Sequence, residues 1–299
     1  MARVTLAAAC GVWLAVLNCE STVVVQSTDA VVAAPSVSAS CSSVAVGSGG
    51  GGLGGEGGAC ACAIRECQGH LYDCGDCVDN DLDGLVDSAD PECTGACDST
   101  EDTFYSLPID SLPCSVDCYF DQDNGAGNDD CHWNHRCDPH EVPPHYYPNT
   151  MEGAYCAYDP SANLPDTNKS CDELYAMQSL ECHDYCMPLV PNGCDCFGCC
   201  ELPAGSDNWV YLGSFGTQEI VYCTLEWTNY PSICQPCMPV PSCLNDCETC
   251  ELCIGKSTLP PECAEPSCPS DRQRCAEGCE PRCPEGQYCV TGCCAPVPR

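Results

Sequence analysis

The sequence predicts a small disulfide-rich fold, mostly irregular, with short helices and β-hairpins and little conventional hydrophobic core. Three observations carry this expectation. The chain holds 37 Cys in 299 residues, a density at which cysteines form a covalent framework. It has only 4 Trp and 4 Phe and few long runs of Leu, Ile or Val, so the apolar core is thin for the length and cross-links must substitute. Finally, Cys10 and Cys19 fall in a signal region and Cys41 stands alone. The cysteines from Cys60 to Cys294 are then an even set able to form up to about 17 bridges. Each bridge contributes about 2–4 kcal/mol by constraining the unfolded chain, and the contributions do not simply add.

The chain opens with Met1-Ala2-Arg3, a minimal positive region, and Val4 to Leu17, an apolar run too short to span a bilayer. Residues 1–19 therefore read as a signal peptide, in keeping with the oxidising compartment that so many cysteines require. Val16-Leu17-Asn18-Cys19 resembles the lipobox of bacterial lipoproteins. That resemblance implies lipidation at Cys19, with plain secretion as the alternative. Residues 20–58 are rich in Ser, Ala and then Gly, the composition of a flexible tether. No later run approaches 18 apolar residues, so no membrane span is expected after the signal.

Residues 59–230 read as a disulfide-rich body, and its most specific chemical signal is DNDLDGLVDSAD, Asp79 to Asp90. Acids stand at loop positions 1, 3, 5, 9 and 12, glycine at 6 and an apolar residue at 8, the oxygen-ligand spacing of a calcium loop. Asp79, Asp81, Asp83 and Asp87 would converge on one ion, the Leu85 carbonyl would add an oxygen, Asp90 would close the site, and Gly84 would permit the turn. The loop resembles the DxDxDG loops of thrombospondin type 3 repeats, dockerins and EF-hands. Asp90 stands where a bidentate Glu is usual, and Pro91 disfavours an exiting helix. The expectation is thus an isolated calcium loop clamped by flanking disulfides, with an acidic solvated turn as the plain alternative.

Further along, Asp121 to Asp130 is a degenerate version of the same loop or an ordinary Asx/Gly turn. His132, His135, His140 and His145 offer imidazoles for zinc or copper, though no catalytic pattern accompanies them. Ser170-Cys171-Asp172-Glu173 is a capping box opening a helix that runs to Pro188. Cys182 and Cys186 followed by Cys194 and Cys196 resemble the cysteine-stabilised αβ motif of defensin-like domains, a resemblance that implies helix-to-strand pairing. His183-Asp184 with Cys186 resembles the H-D-x-C of secreted phospholipases A2, where the histidine is a general base. Asn208 to Trp227 reads as a β-hairpin about Gly216.

Residues 231–262 form a Pro/Cys-rich segment with a short helix capped by Ser242 and ended by Gly255. Cys234, Cys237, Cys250 and Cys253 would read as a zinc ribbon in a reducing compartment. Residues 263–299 resemble small knotted modules such as trypsin-inhibitor-like repeats.

The net charge of −35, with 9 scattered Lys+Arg, makes nucleic acid and bare anionic membrane poor partners, since phosphate binding needs clustered cations, so no nucleic-acid partner is expected. Taken whole, the chain resembles cysteine-rich lipoproteins predicted in myxobacteria. The expected function is a calcium-stabilised, non-enzymatic binding or structural protein of the cell surface or extracellular space. Its partner would be a protein or carbohydrate, reached by an acidic surface with 13 Tyr. A calcium-dependent hydrolase based on His183 and a protease inhibitor in the C-terminal module are the alternatives.

Overall fold

Cysteines dictate where the chain may run, and regular elements fill the short intervals between them. The computed structural model describes residues 62–105, 114–121, 131–142, 156–164, 168–216, 221–276 and 282–298. The signal peptide, Cys19, the tether, Cys41, most of Asp121 to Asp130 and His145 lie outside the described residues. Among the described residues sixteen disulfides join 32 cysteines, and the strands between them are only two to four residues long. The architecture is the irregular, disulfide-rich one expected.

The central sheet has four antiparallel strands in the order β5-β4-β3-β8: β3 is Cys194–Asp195, β4 Cys199–Glu201, β5 Trp209–Tyr211 and β8 Leu244–Asn245. Cys194 faces Cys200 across β3 and β4 and is bonded to it. Gly198, at φ +83°, makes the turn between them, and a Cβ there would stand 2.8 Å from the Tyr119 ring. The buried Asp195 carboxylate accepts the N–H groups of Phe197, Cys199 and Val240, which ties the turn to the β8 side of the sheet. Two minor pairs complete this part, β1 (Ser115–Val116) with β2 (Trp133–Asn134) and β6 (Phe215–Gly216) with β7 (Val221–Tyr222). The expected 208–227 hairpin is thus divided, because β5 pairs with β4 rather than with the strand that follows it.

Nearly half the members of the main core are cysteines, packed around Phe104, Tyr119, Trp133, Phe197 and Tyr211. Trp133 meets Tyr175 edge-on at 4.8 Å between centroids and stacks with Phe197 at 6.1 Å. Sulfur and aromatic rings replace the aliphatic interior that the sequence lacks.

The Ser170 capping box is present: Ser170 Oγ accepts from Glu173 N–H and the Glu173 carboxylate accepts from Ser170 N–H. The helix it opens, α1, covers only Cys171–Ala176, not the whole stretch to Pro188. Met177 is extended, the Gln178 side chain takes the Leu174 carbonyl, and Ser179 starts a separate π-type turn over Cys182–Cys186. That turn is set by bonds of Cys182 to Cys131 and Cys186 to Cys118, so the defensin-like pairing with Cys194 and Cys196 does not form. Cys194 goes to Cys200 and Cys196 to Cys243.

The helix expected from Ser242 to Gly255 is also absent. A 3-10 turn at Pro241–Cys243 leads directly into β8, and the bonds Cys247–Cys253 and Cys250–Cys263 hold the remainder in tight loops. The boundary after residue 230 is crossed by Cys196–Cys243, Cys199–Cys237 and Cys223–Cys234. At the C-terminus, β9 (Gln287–Val290) and β10 (Cys293–Pro296) form a hairpin held by Cys268–Cys293, Cys275–Cys289 and Cys283–Cys294. Its Tyr288, Val290, Ala295 and Val297 share a second core with Cys67, Ala96 and Cys97. Arg65 fastens the two ends by donating to the carbonyls of Gln287 and Cys283.

Candidate metal centre

The DNDLDGLVDSAD loop lies between bridged ends. Cys74–Cys93 spans it, Cys62–Cys77 holds its entry and Cys67–Cys97 closes the outer turn. Within it, acids two residues apart fold back on the backbone: Asp83 N–H donates to Asp81 at 3.0 Å, Gly84 N–H to Asp79 Oδ2 at 3.2 Å and Leu85 N–H to Asp83 at 2.7 Å. Gly84 adopts φ +101°, a conformation that glycine reaches without strain. The consequence is convergence. One oxygen from each of Asp79, Asp81 and Asp83 lies within 4.8 Å of the others.

Asp79 Oδ1 is buried and has no hydrogen-bond partner. A buried carboxylate oxygen left unpaired costs more than a lost neutral hydrogen bond, a deficit that a cation at this position would answer. None of Asp79, Asp81, Asp83, Asp90 or Glu92 belongs to the described ion pairs, His132–Asp117 and Arg274–Glu265.

The remaining expected ligands are placed differently. Asp87 is buried and turned inward at φ +47°. Both its carboxylate oxygens accept the Cys77 N–H, at 3.1 and 3.2 Å, and it stands outside the converging trio. Burial raises its carboxyl to about 7. Asp90 is buried beside the trio, where burial first, then the charges of Glu92, Asp83 and Asp81, raise its carboxyl to about 7; its Oδ1 accepts Glu92 N–H at 2.7 Å. Leu85 is exposed at the loop's edge. After a 3-10 turn at Asp87–Ala89, Asp90 is extended at ψ 124° ahead of Pro91, and no helix leaves the loop.

Two acids beyond the motif complete the electrostatics. Glu92 is raised by burial and by Asp83 and Asp81, while its Oε1 accepts Leu225 N–H at 3.0 Å. Glu101 is buried and accepts Asn80 N–H at 2.6 Å and Asp87 N–H at 2.7 Å, so it braces the loop from inside. Neither residue carries a spacing signal in the sequence, because the chain path through Cys93 and Cys97 brings them in. Tyr288 of β9 is buried against the same group. Burial first, then Asp87, Asp98, Glu101 and Asp90, push its hydroxyl well above its ordinary value.

The other candidate ligands are dispersed. His135 is buried, His132 lies 3.6 Å from Asp117, and no metal-ligating group among the described residues contains a histidine. Cys234, Cys237, Cys250 and Cys253 are bonded to Cys223, Cys199, Cys263 and Cys247, which removes the zinc-ribbon reading. The sulfurs of Cys131, Cys182, Cys196 and Cys243 lie within 4.8 Å of one another and are likewise consumed in two disulfides. His183 and Asp184 sit on the exposed side of their turn.

Among the described residues no helix is long and apolar enough to cross a membrane, and the disulfide framework is typical of extracellular proteins. The chain matches no protein-family model, no curated protein and no solved structure.

Proposed function

We propose that this chain is a calcium-stabilised, disulfide-framed, non-enzymatic module of the cell surface or extracellular space, serving to bind or organise a protein or carbohydrate partner. The observation that carries the calcium reading is the convergence of Asp79, Asp81 and Asp83 around the unpartnered, buried Oδ1 of Asp79. An oxygen-only donor set favours a hard cation, and calcium tolerates the irregular geometry that a disulfide-clamped loop imposes. Asp90 and Glu92 are further carboxylates that feel the charges of Asp81 and Asp83, and Asp87 serves as a strut to Cys77. The partner reading is supported by Tyr230, exposed and packed edge-on against Trp227 at 5.1 Å between centroids, on a surface of net negative charge.

Affinity in the range of extracellular modules, roughly 10⁻⁴ to 10⁻³ M, is expected. Calcium titration by calorimetry on the oxidised chain tests this. One saturable site is expected, weakened about tenfold or more by Asp83→Asn through loss of one ligand charge. At a hundredfold excess over Kd, calcium would stabilise the fold by about 2.7 kcal/mol. No heat and no shift in melting temperature up to ~10⁻² M calcium would refute it, since that lies well above the weak end of the range.

A further inference from the structure

A cavity of about 770 Å³ opens between the far side of the aspartate loop, the 252–257 turn and the C-terminal hairpin. Its apolar wall is Leu85, Leu225, Leu252, Ile254 and Val290. The volume falls within the range of small-molecule sites, roughly 300–1,000 Å³. Disulfides hold its sides in place, because Cys93, Cys253 and Cys275 line it and are bonded to Cys74, Cys247 and Cys289. Gly292, at φ +79°, keeps its turn close to Leu252, where a Cβ would come within 3.0 Å of the leucine side chain. This wall is preformed and sets shape before any ligand arrives.

The charges at the rim select the ligand. Arg274 is paired with Glu265, Lys256 Nζ donates to the carbonyls of Glu248 at 3.0 Å and Thr249 at 3.2 Å, and Asp90 accepts Glu92 N–H. Arg274 and Glu265 neutralise each other, and Lys256 and Asp90 are held by backbone partners, so the rim presents no pair of charges arranged to clasp an ionic ligand. An uncharged ligand meets a wall that is mostly apolar, with the hydroxyls of Ser88, Thr94, Ser257 and Thr291 among its lining. We infer that this cavity binds an uncharged, largely apolar small molecule of drug-like size.

The cavity also shares a wall with the loop. Leu85, Ser88, Ala89 and Asp90 belong to both, and Pro91, the next residue, also lines the cavity. The carboxylate of Glu92, which follows directly, accepts the N–H of Leu225, another lining residue. Ordering of the loop by calcium would therefore fix two sides of the site together; this coupling rests on the calcium reading above, whereas the ligand site itself does not.

The test uses the full oxidised chain and the neutral fluorescent probe N-phenyl-1-naphthylamine, titrated in calcium and in chelator, with calcium binding measured separately by calorimetry. Expected are one saturable site per chain, probe affinity reduced about tenfold or more by Leu252→Asp, which places an unpaired charge in the wall, and near-normal affinity in Leu180→Asp, at an exposed position outside the cavity lining. Leu252→Ala, a milder change, would retain binding at intermediate affinity. Absence of saturable binding by the folded protein, or binding indifferent to Leu252→Asp, would overturn the site. Equal probe affinity in calcium and chelator, with calcium binding intact by calorimetry, would overturn the coupling alone. Probe binding in a chain that takes no calcium would uphold the site and refute the calcium reading.

Discussion

At the scale of single residues, the loop divides its acids between two tasks that one motif does not distinguish. Asp79 presents a buried, unpaired oxygen, whereas Asp87 spends its carboxylate on the Cys77 N–H. Asp79→Asn should therefore lower calcium affinity by about tenfold or more with little change in the melting temperature of the calcium-free form. Asp87→Ala should instead cost about 1–3 kcal/mol in the calcium-free form, measured by denaturant unfolding, because the part-buried Cys77 N–H loses its charged acceptor. The trio at positions 1, 3 and 5 was legible because its convergence is local, set by Gly84 and backbone folds two to five residues long. Glu92 and Glu101 were not, because burial and the disulfide path bring them in.

His135 adds a pH test at the same scale. Burial lowers its imidazole from 6.5 to about 3, so the folded state holds it neutral while the unfolded state protonates. Its contribution to stability is fully present above pH 6.5 and is lost as the pH falls toward 3. An NMR titration should show the His135 ring at its neutral-form shift down to about pH 4, whereas a midpoint near 6.5 would contradict its burial.

At the scale of elements, local chemistry was readable wherever it is settled within a few residues. The Ser170 capping box and the absence of a helix after Asp90-Pro91 both follow from adjacent residues. Ser170→Ala should cost about 1 kcal/mol by loss of the cap, measured by thermal melting. Element length was not readable, because it is decided by distant cysteines. Cys182 and Cys186 lie one helical turn apart, yet their partners Cys131 and Cys118 pull the segment into its own π-type turn. Cys243, Cys247 and Cys250 suggest one helical face for the same reason, and their bonds to Cys196, Cys253 and Cys263 leave only a 3-10 turn.

At the scale of the whole molecule, the framework replaces a large core and joins distant parts of the chain. The bridge Cys118–Cys186 spans 68 residues and Cys194–Cys200 spans 6. Loop-closure entropy makes the first the more stabilising, about 4 kcal/mol on the entropic account, so Cys118→Ser with Cys186→Ser should lower the unfolding free energy by more than the Cys194 and Cys200 pair of substitutions. The class of fold was legible from cysteine density alone. The connectivity was not, since 34 cysteines admit a vast number of pairings and sequence spacing ranks them poorly.

The most direct test of the central claim is a crystal structure of the oxidised chain grown in calcium, with the ion located by its anomalous signal. The account predicts one ion with oxygens of Asp79, Asp81 and Asp83 at about 2.3–2.6 Å and Asp87 still on the Cys77 N–H. Three carboxylates turned outward to solvent, with no ion among them, would contradict it.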